Sequence, residues 1–280
     1  MNILDKIIAD KKIEVALKKG LIPIKNFEQS PLFERPTNSM ATKIRQSASG
    51  IIAEHKRRSP SKDVINNSLK VPLVVESYEK AGVCGISVLT DGPYFGGALE
   101  DLLLARASVD TPLLRKEFIV DPYQIIEAKA HGADTILLIA AVLTRAEIHS
   151  LSTLAQSLGM EVLLEVHDLE ELEKSIMPSL NMIGVNNRNL KTFEVNLKTS
   201  MELSSRIPDD FVKVSESGIS NVSAVKELKN YGYQGFLVGE NFMKTNDPGT
   251  AALEFIKQIE ILLSGFQFER IIEALIFIVN

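Results

Sequence analysis

Seven side chains of types that move protons or hold anions sit where short apolar runs end in this 280-residue sequence: Glu54, Lys56, Lys116, Glu165, Asn186, Glu216 and Ser217. Two ammonium groups and three carboxylates gathered in one pocket would partly neutralise one another and hold pKa values near working pH, as general acid-base chemistry needs. Taken singly, each is equally well explained as a polar strand end at the surface. Within IIAEHK, strand alternation puts Glu54 and Lys56 on one face and His55 on the other. Whether that face is an exposed ion pair or part of a site depends on the elements that carry the other ends.

Those elements recur with a rhythm. Apolar, β-rich runs occupy 51–55, 85–90, 113–118, 135–140, 162–166, 182–186, 212–216 and 235–239, with helix signals between them. Asp121-Pro122-Tyr123-Gln124 reads as an N-cap acid, a proline at the first helical position and a capping-box glutamine. Thr144 with Glu147, and Asp168 with Glu171, repeat the box; Asp247-Pro248 repeats the acid and proline. Strands alternating with helices form a parallel sheet. An open doubly wound sheet could be built this way, but eight units in roughly 250 residues match an α/β fold of the (β/α)8 TIM-barrel type. In such a barrel all strand ends open on one pocket. Gly-rich dinucleotide or P-loop fingerprints are absent.

The first fifty residues fit no strand. Ile3, Leu4, Ile7 and Ile8 fall at helical spacing and Gly20 should stop the run, so residues 1–50 form a helical extension on a barrel spanning 51–255, with a helix or tail over 256–280, all as one domain. Periodicity does not say which end of the barrel the extension covers. The composition, 45% hydrophobic and 24% charged with net charge -5, lacks the basic excess of a nucleic-acid binder and favours a small-molecule partner. One cysteine, Cys84, permits no internal disulfide and suits a reducing compartment. Charges interrupt MNILDKIIADKK, which therefore does not read as a signal peptide, and ALIFIVN is too short to span a bilayer and reads as an amphipathic terminal helix.

The last two units suggest a phosphate site. Ser217-Gly218 follows the seventh run and Gly239-Glu240-Asn241 the eighth, where a short helix over Asn241, Phe242 and Met243 could begin. Loops after the last two strands commonly cradle a phosphate through backbone N–H groups. The plainer reading is that both glycines serve tight turns.

With these residues in place, the chain resembles indole-3-glycerol-phosphate synthase, a barrel enzyme of tryptophan biosynthesis. The resemblance rests on IIAEHKRRSPSK, ISVLTDGPYFGGALEDL, LLRKEFIVDPYQI, LLEVHDLEEL, IGVNNRNL, VSESGI and FLVGENFM, in order over residues 1–255. It implies a carboxy-lyase that closes 1-(2-carboxyphenylamino)-1-deoxyribulose 5-phosphate to the indole with loss of carbon dioxide and water, without a cofactor or metal. The family's catalytic lysines fall on Lys56 and Lys116, its acids on Glu54, Glu165 and Glu216, and its asparagine on Asn186. Substrate contacts fall on Ser59, Pro60, Phe95, Phe118 and Arg188, with the two phenylalanines and Pro60 walling the aromatic ring; for Phe118, core packing competes with that role. Phosphate contacts fall on Ser217, Gly218 and Gly239, with Ser59 beside them and Glu240 contributing backbone only.

Two positions depart from the family: His55, where an aliphatic residue is usual, and Asp63, where a glycine follows SPSK. The tail from about 264 to 280 exceeds the family's usual end and is expected against the barrel or a partner chain. His131, His149 and His167 lie in separate units and suggest no metal cluster. The resemblance further implies a cytoplasmic enzyme, monomeric or a weak homodimer, alone or beside other tryptophan-pathway enzymes, without nucleic acid or membrane. Two rivals stay open: another phosphosugar barrel such as phosphoribosylanthranilate isomerase, which has a cysteine where this chain has Lys56, and a non-catalytic phosphate-binding barrel.

Overall fold

The computed structural model describes residues 3–190 and 192–279, with side chains through Ser264. Eight parallel strands close in chain order: β1 (Ile51–His55), β2 (Gly85–Leu89), β3 (Leu113–Lys116), β4 (Thr135–Ile139), β5 (Glu161–Val166), β6 (Met182–Asn186), β7 (Val212–Glu216) and β8 (Gly235–Val238). The barrel shuts where Ile51 and Ala53 lie opposite Phe236 and Val238. Nearly every strand residue is buried, as parallel strands covered on both faces must be.

Three helices precede the barrel: α1 (Ile3–Leu21), α2 (Ile24–Glu28) and α3 (Met40–Gln46). The crossovers carry α4 (Val71–Lys80), α5 (Gly92–Phe95), α6 (Leu99–Ser108), α7 (Pro122–Ala130), α8 (Arg145–Ser157), α9 (Leu169–Ser175), α10 (Lys198–Leu203) and α11 (Val222–Asn230); α12 (Glu240–Met243) and α13 (Pro248–Val279) follow β8. The capping boxes form at Asp121 with Gln124 and at Thr144 with Glu147. At α9 the expected box is only half made. Asp168 accepts the Glu171 N–H at 2.9 Å, but the Glu171 carboxylate passes over Asp168 to the His167 N–H at 2.8 Å. Asp247 accepts the Thr250 N–H at 3.0 Å and starts α13.

The extension covers both ends of the barrel. Ile3, Leu4 and Ile7 of α1 line the cavity at the C-terminal mouth. Beneath them the buried Lys11 ammonium meets Glu14 at 2.8 Å, Asp91 at 3.0 Å and Glu117 at 3.1 Å. These contacts tie α1 to the loop after β2 and to the end of β3. Met40 and Ile44 of α3 close the opposite end, packed in one cluster with Ile52, Cys84, Leu114, Met182 and Val212. A methyl group on Gly85 would collide with Met40, so that glycine admits the plug. The first helix runs one residue past Gly20 to Leu21; Pro23 caps the next helix and ends the run.

Cys84 is buried, as a core residue should be. Among the described residues, no helix is long and apolar enough to cross a membrane. Helix α13 continues through the tail, but the side chains of the expected tail contact lie outside the described residues.

Candidate active site

A cavity of about 420 Å³ opens at the C-terminal ends of the strands. Every residue singled out above as a catalytic, substrate or phosphate contact lines it: Glu54, Lys56, Ser59, Pro60, Phe95, Lys116, Phe118, Glu165, Asn186, Arg188, Glu216, Ser217, Gly218, Gly239 and Glu240.

The charges form two linked groups. The Lys116 ammonium, at the end of β3, lies 2.5 Å from Glu216 Oε2 and 3.3 Å from Glu165 Oε2. Across the mouth, Lys56 Nζ is 2.6 Å from Glu54 Oε1, while Ser87 Oγ donates to Glu54 Oε2 at 3.3 Å. Register explains the grouping: Asn186 pairs with Glu216 across β6 and β7, and Glu165 pairs with Gly184 across β5 and β6. Two glycines leave room for the acids. A Cβ on Gly184 would overlap Glu216 Oε1, and one on Gly239 would stand 2.6 Å from Glu54 Oε1.

The electrostatics divide the acids. Burial disfavours the Glu54 and Glu165 carboxylates, yet Lys56 and Lys116 hold Glu54 below its ordinary range, and Lys116, His167 and Asn186 do the same for Glu165. Burial likewise opposes the Lys116 charge, but Glu216, Glu165 and Glu54 outweigh it and keep the ammonium far above the usual lysine range. Glu216 goes the other way. Burial, with Glu165 and Glu54 as like-charged neighbours, overcomes its contact with Lys116 and pushes it up to about 7. The expectation that mutual neutralisation leaves the set near working pH therefore holds for Glu216, whereas the ion pairs move Glu54, Glu165 and Lys116 away from it. Glu216 Oε1 is buried against Gly184 with no hydrogen-bond partner among the described residues.

The Phe95 and Phe118 rings stand 5.9 Å apart, tilted by 43°. Phe118 is half-buried and borders both the cavity and the barrel interior, so wall and core packing coexist. Asn186 Oδ1 accepts the Arg188 N–H at 3.0 Å and shapes the turn that presents Arg188.

Ser217 has φ +66°, unusual for a residue with a side chain, and Gly218 has φ +79°. Gly218 thus fits the turn explanation, whereas Gly239 has φ -115° and is required by its approach to Glu54. The Glu240 carboxylate pairs with Lys62 at 2.9 Å, leaving its backbone at the cavity.

Three residues escaped sequence reasoning. Lys11 gave no signal beyond a charge on an amphipathic helix. Asn187, beside the expected Asn186 and Arg188, is buried; its Nδ2 lies 2.9 Å from Glu216 O and 3.1 Å from Ser217 O, holding the turn after β7. His167, one residue past the end of β5, stands 3.4 Å from Glu165, and its i+2 spacing from that acid was the available clue. Among the described residues, no group of three or more His, Cys, Asp and Glu is placed to hold a metal ion. His55, the family departure, is buried; burial and the nearby Arg57 push it down to about 4, so it stays a neutral packing residue.

Comparison with known proteins identifies the family. The family model described as indole-3-glycerol phosphate synthase matches residues 4–255. The chain is 46% identical to the indole-3-glycerol phosphate synthase of Bacteroides thetaiotaomicron, over 92% of this chain and 99% of that protein. To the Polynucleobacter asymbioticus protein of the same name it is 42% identical, over 90% and 98%. Among solved structures, 3-hexulose-6-phosphate synthase from Salmonella typhimurium superposes with a TM-score of 0.61 at 14% identity, covering 76% of this chain and 99% of that one, a likeness of fold. The match of the family model along nearly all of the barrel and its extension, together with these identities, places this chain in the indole-3-glycerol phosphate synthase family.

Proposed function

We propose that this chain, acting as one unit from extension to tail, is the decarboxylating lyase that converts 1-(2-carboxyphenylamino)-1-deoxyribulose 5-phosphate to indole-3-glycerol phosphate in tryptophan synthesis. The observation that carries the reading is the half-buried Lys116 ammonium, held between Glu216 and Glu165 at 2.5 and 3.3 Å in the same cavity as the Lys56–Glu54 pair.

Attack of the aromatic ring carbon on the ketone leaves negative charge on the carbonyl oxygen. Lys116, kept protonated by its carboxylates, donates a proton there as the carbon-carbon bond forms. Lys56 holds the substrate carboxylate or assists the departure of water, and carbon dioxide leaves with its electron pair returning to the ring. Dehydration then requires one proton given and one taken. Glu165, with Glu54 nearby, exchanges the second proton. Asn186 and Glu216 bind the hydroxyl and amine groups and align the reacting atoms.

Phe95, Phe118 and Pro60 wall the ring, with Arg188 at the rim. Ser59, Ser217, Gly218, Gly239 and the Glu240 backbone receive the phosphate. We read the enzyme as cytoplasmic, a monomer or weak homodimer, with sedimentation at working concentration deciding between the two.

The test is turnover followed by indole fluorescence, with Lys116→Ala alongside. Loss of a positioned general acid costs roughly 10²–10⁴-fold in rate. A folded Lys116→Ala chain that closed the ring at near-native rate would overturn the assignment of the acid. A native chain that binds the substrate without turning it over would overturn the activity.

A further inference from the structure

Of the four histidines in the sequence, His167 stands directly behind the charged cluster. It does not line the cavity, but it lies one residue past the end of β5, 3.4 Å from Glu165. Glu171, in the first turn of α9, accepts the His167 backbone N–H at 2.8 Å and lies 3.1 Å from the ring Nδ1. An ionised carboxylate only accepts, so it places the ring proton on Nδ1 and turns Nε2 toward the site. Nε2 faces Glu165 Oε1 at 3.4 Å and is buried with no hydrogen-bond partner among the described residues.

The two oxygens of Glu165 are thus divided, Oε2 toward Lys116 and Oε1 toward the imidazole. With Nδ1 protonated, two lone pairs would oppose each other between Nε2 and Oε1 unless one proton lay between them.

We propose that His167 and Glu165 share one proton, His167 acting as a positioning residue that takes up and returns the proton Glu165 exchanges with substrate. The inference rests on the reading of Glu165 as the group that exchanges the second proton. From imidazolium and carboxylate, the N–H bond at Nε2 breaks as an O–H bond forms at Oε1, and Glu165 passes that proton to substrate; when Glu165 takes a proton back, the O–H bond breaks as the N–H bond at Nε2 forms again, restoring imidazolium and carboxylate.

The charged groups facing the ring are Glu165 on β5, Glu171 on α9 and Glu216 on β7, with Lys116 of β3 on the far side of Glu165. Burial opposes the imidazolium, but these three carboxylates outweigh it and raise His167 above its ordinary range. The pair is therefore stocked with a proton near neutrality.

The test compares pH profiles of turnover, with the carboxyphenylamino ribulose phosphate as substrate, for the native chain, His167→Gln, Glu171→Gln and Glu165→Gln. Removing the imidazolium makes Glu165 harder to ionise. His167→Gln should lower kcat about tenfold, a fraction of a full acid-base contribution, leave KM within about twofold because the ring does not touch the cavity, and move the acid limb to higher pH.

Glu171→Gln keeps the ring and should move the limb the same way by less, which preserves the test if His167→Gln folds poorly. In a ¹⁵N titration, the His167 ring should lose its proton at lower pH in Glu165→Gln than in the native chain. Unshifted profiles in the His167 and Glu171 variants, with Glu165→Gln inactive, would overturn the shared proton and leave the role of Glu165 intact. Near-native turnover by Glu165→Gln would instead overturn that role, and the relay with it.

Discussion

Glu216→Gln should make the ligand-free protein more stable at pH 8 while impairing turnover. The Glu216 side chain is buried and its pKa is pushed from an ordinary 4.5 up to about 7. The folded chain therefore holds this proton more tightly than the unfolded chain does. Below pH 4.5 both states are protonated and the group contributes nothing. Between 4.5 and 7 ionisation of the unfolded chain increasingly favours unfolding, and above 7 the penalty is complete. A difference of about 2.5 pH units at about 1.4 kcal/mol each gives a loss of roughly 3 kcal/mol. Glutamine resembles the protonated acid and carries no such penalty. At about 2 °C per kcal/mol for a chain of this size, the variant should melt roughly 6 °C above the native protein at pH 8, with the gap closing toward pH 5. Differential scanning calorimetry of both ligand-free proteins at matched scan rates from pH 5 to 8.5 measures it. A gap that stays constant or narrows as pH rises would refute the reasoning, because it would mean that Lys116 fully compensates the buried carboxylate.

Lys11→Met removes the buried cation shared by Asp91 and Glu117; breaking such a group should cost about 3–5 kcal/mol and loosen α1, read by thermal unfolding and by proteolysis within the first 22 residues. Gly239→Ala puts a methyl group against Glu54, so kcat should fall several-fold or more with the fold intact by circular dichroism. Gly218→Ala meets both φ +79° and the Val195 side chain; about 1–2 kcal/mol of backbone cost should appear mainly as a raised KM for the phosphorylated substrate.

The barrel was legible because its signals are local. Each buried parallel strand is a short apolar run, and Asp121, Thr144 and Asp247 mark helix starts through contacts made within one turn. The strands end within two residues of the expected positions, the widest miss falling on β3, where Glu117 and Phe118 leave the ladder and Glu117 turns to Lys11. The charged lining of the cavity was legible for the same reason: a polar residue that ends an apolar run lies at a barrel mouth. What escaped depends on contacts across long sequence separations. Nothing near Lys11 announces Asp91 or Glu117, and nothing near Met40 announces Gly85, so the two roles of the extension were invisible. The pKa order was equally hidden, since it follows from which carboxylates the Lys116 ammonium reaches, not from which residues are present.

That order bears on how one pocket can offer an acid and a base together. Glu165 and Glu216 both touch Lys116, yet their environments push them apart. Glu165 is helped by Lys116, by His167 and by a hydrogen bond from Asn186, and stays ionised; Glu216 has burial and two neighbouring carboxylates against it and keeps a proton into the neutral range. Titratable groups driven apart in this way are the usual source of distinct acid and base roles at one pH. On the proposed mechanism the site meets its substrate with a carboxylate ready to accept, a protonated lysine ready to donate, and Glu216 able to do either. Binding of the anionic substrate adds charge beside these groups and raises the cost of ionising Glu216 further, so the proton on Glu216 should be held more firmly in the complex than in the free enzyme. Were Glu216 and Glu165 interchangeable, Glu165→Gln and Glu216→Gln would give the same pH profile. The structure requires them to differ: loss of Glu165 removes the group ionised in the acid range, and loss of Glu216 removes the ionisation near 7.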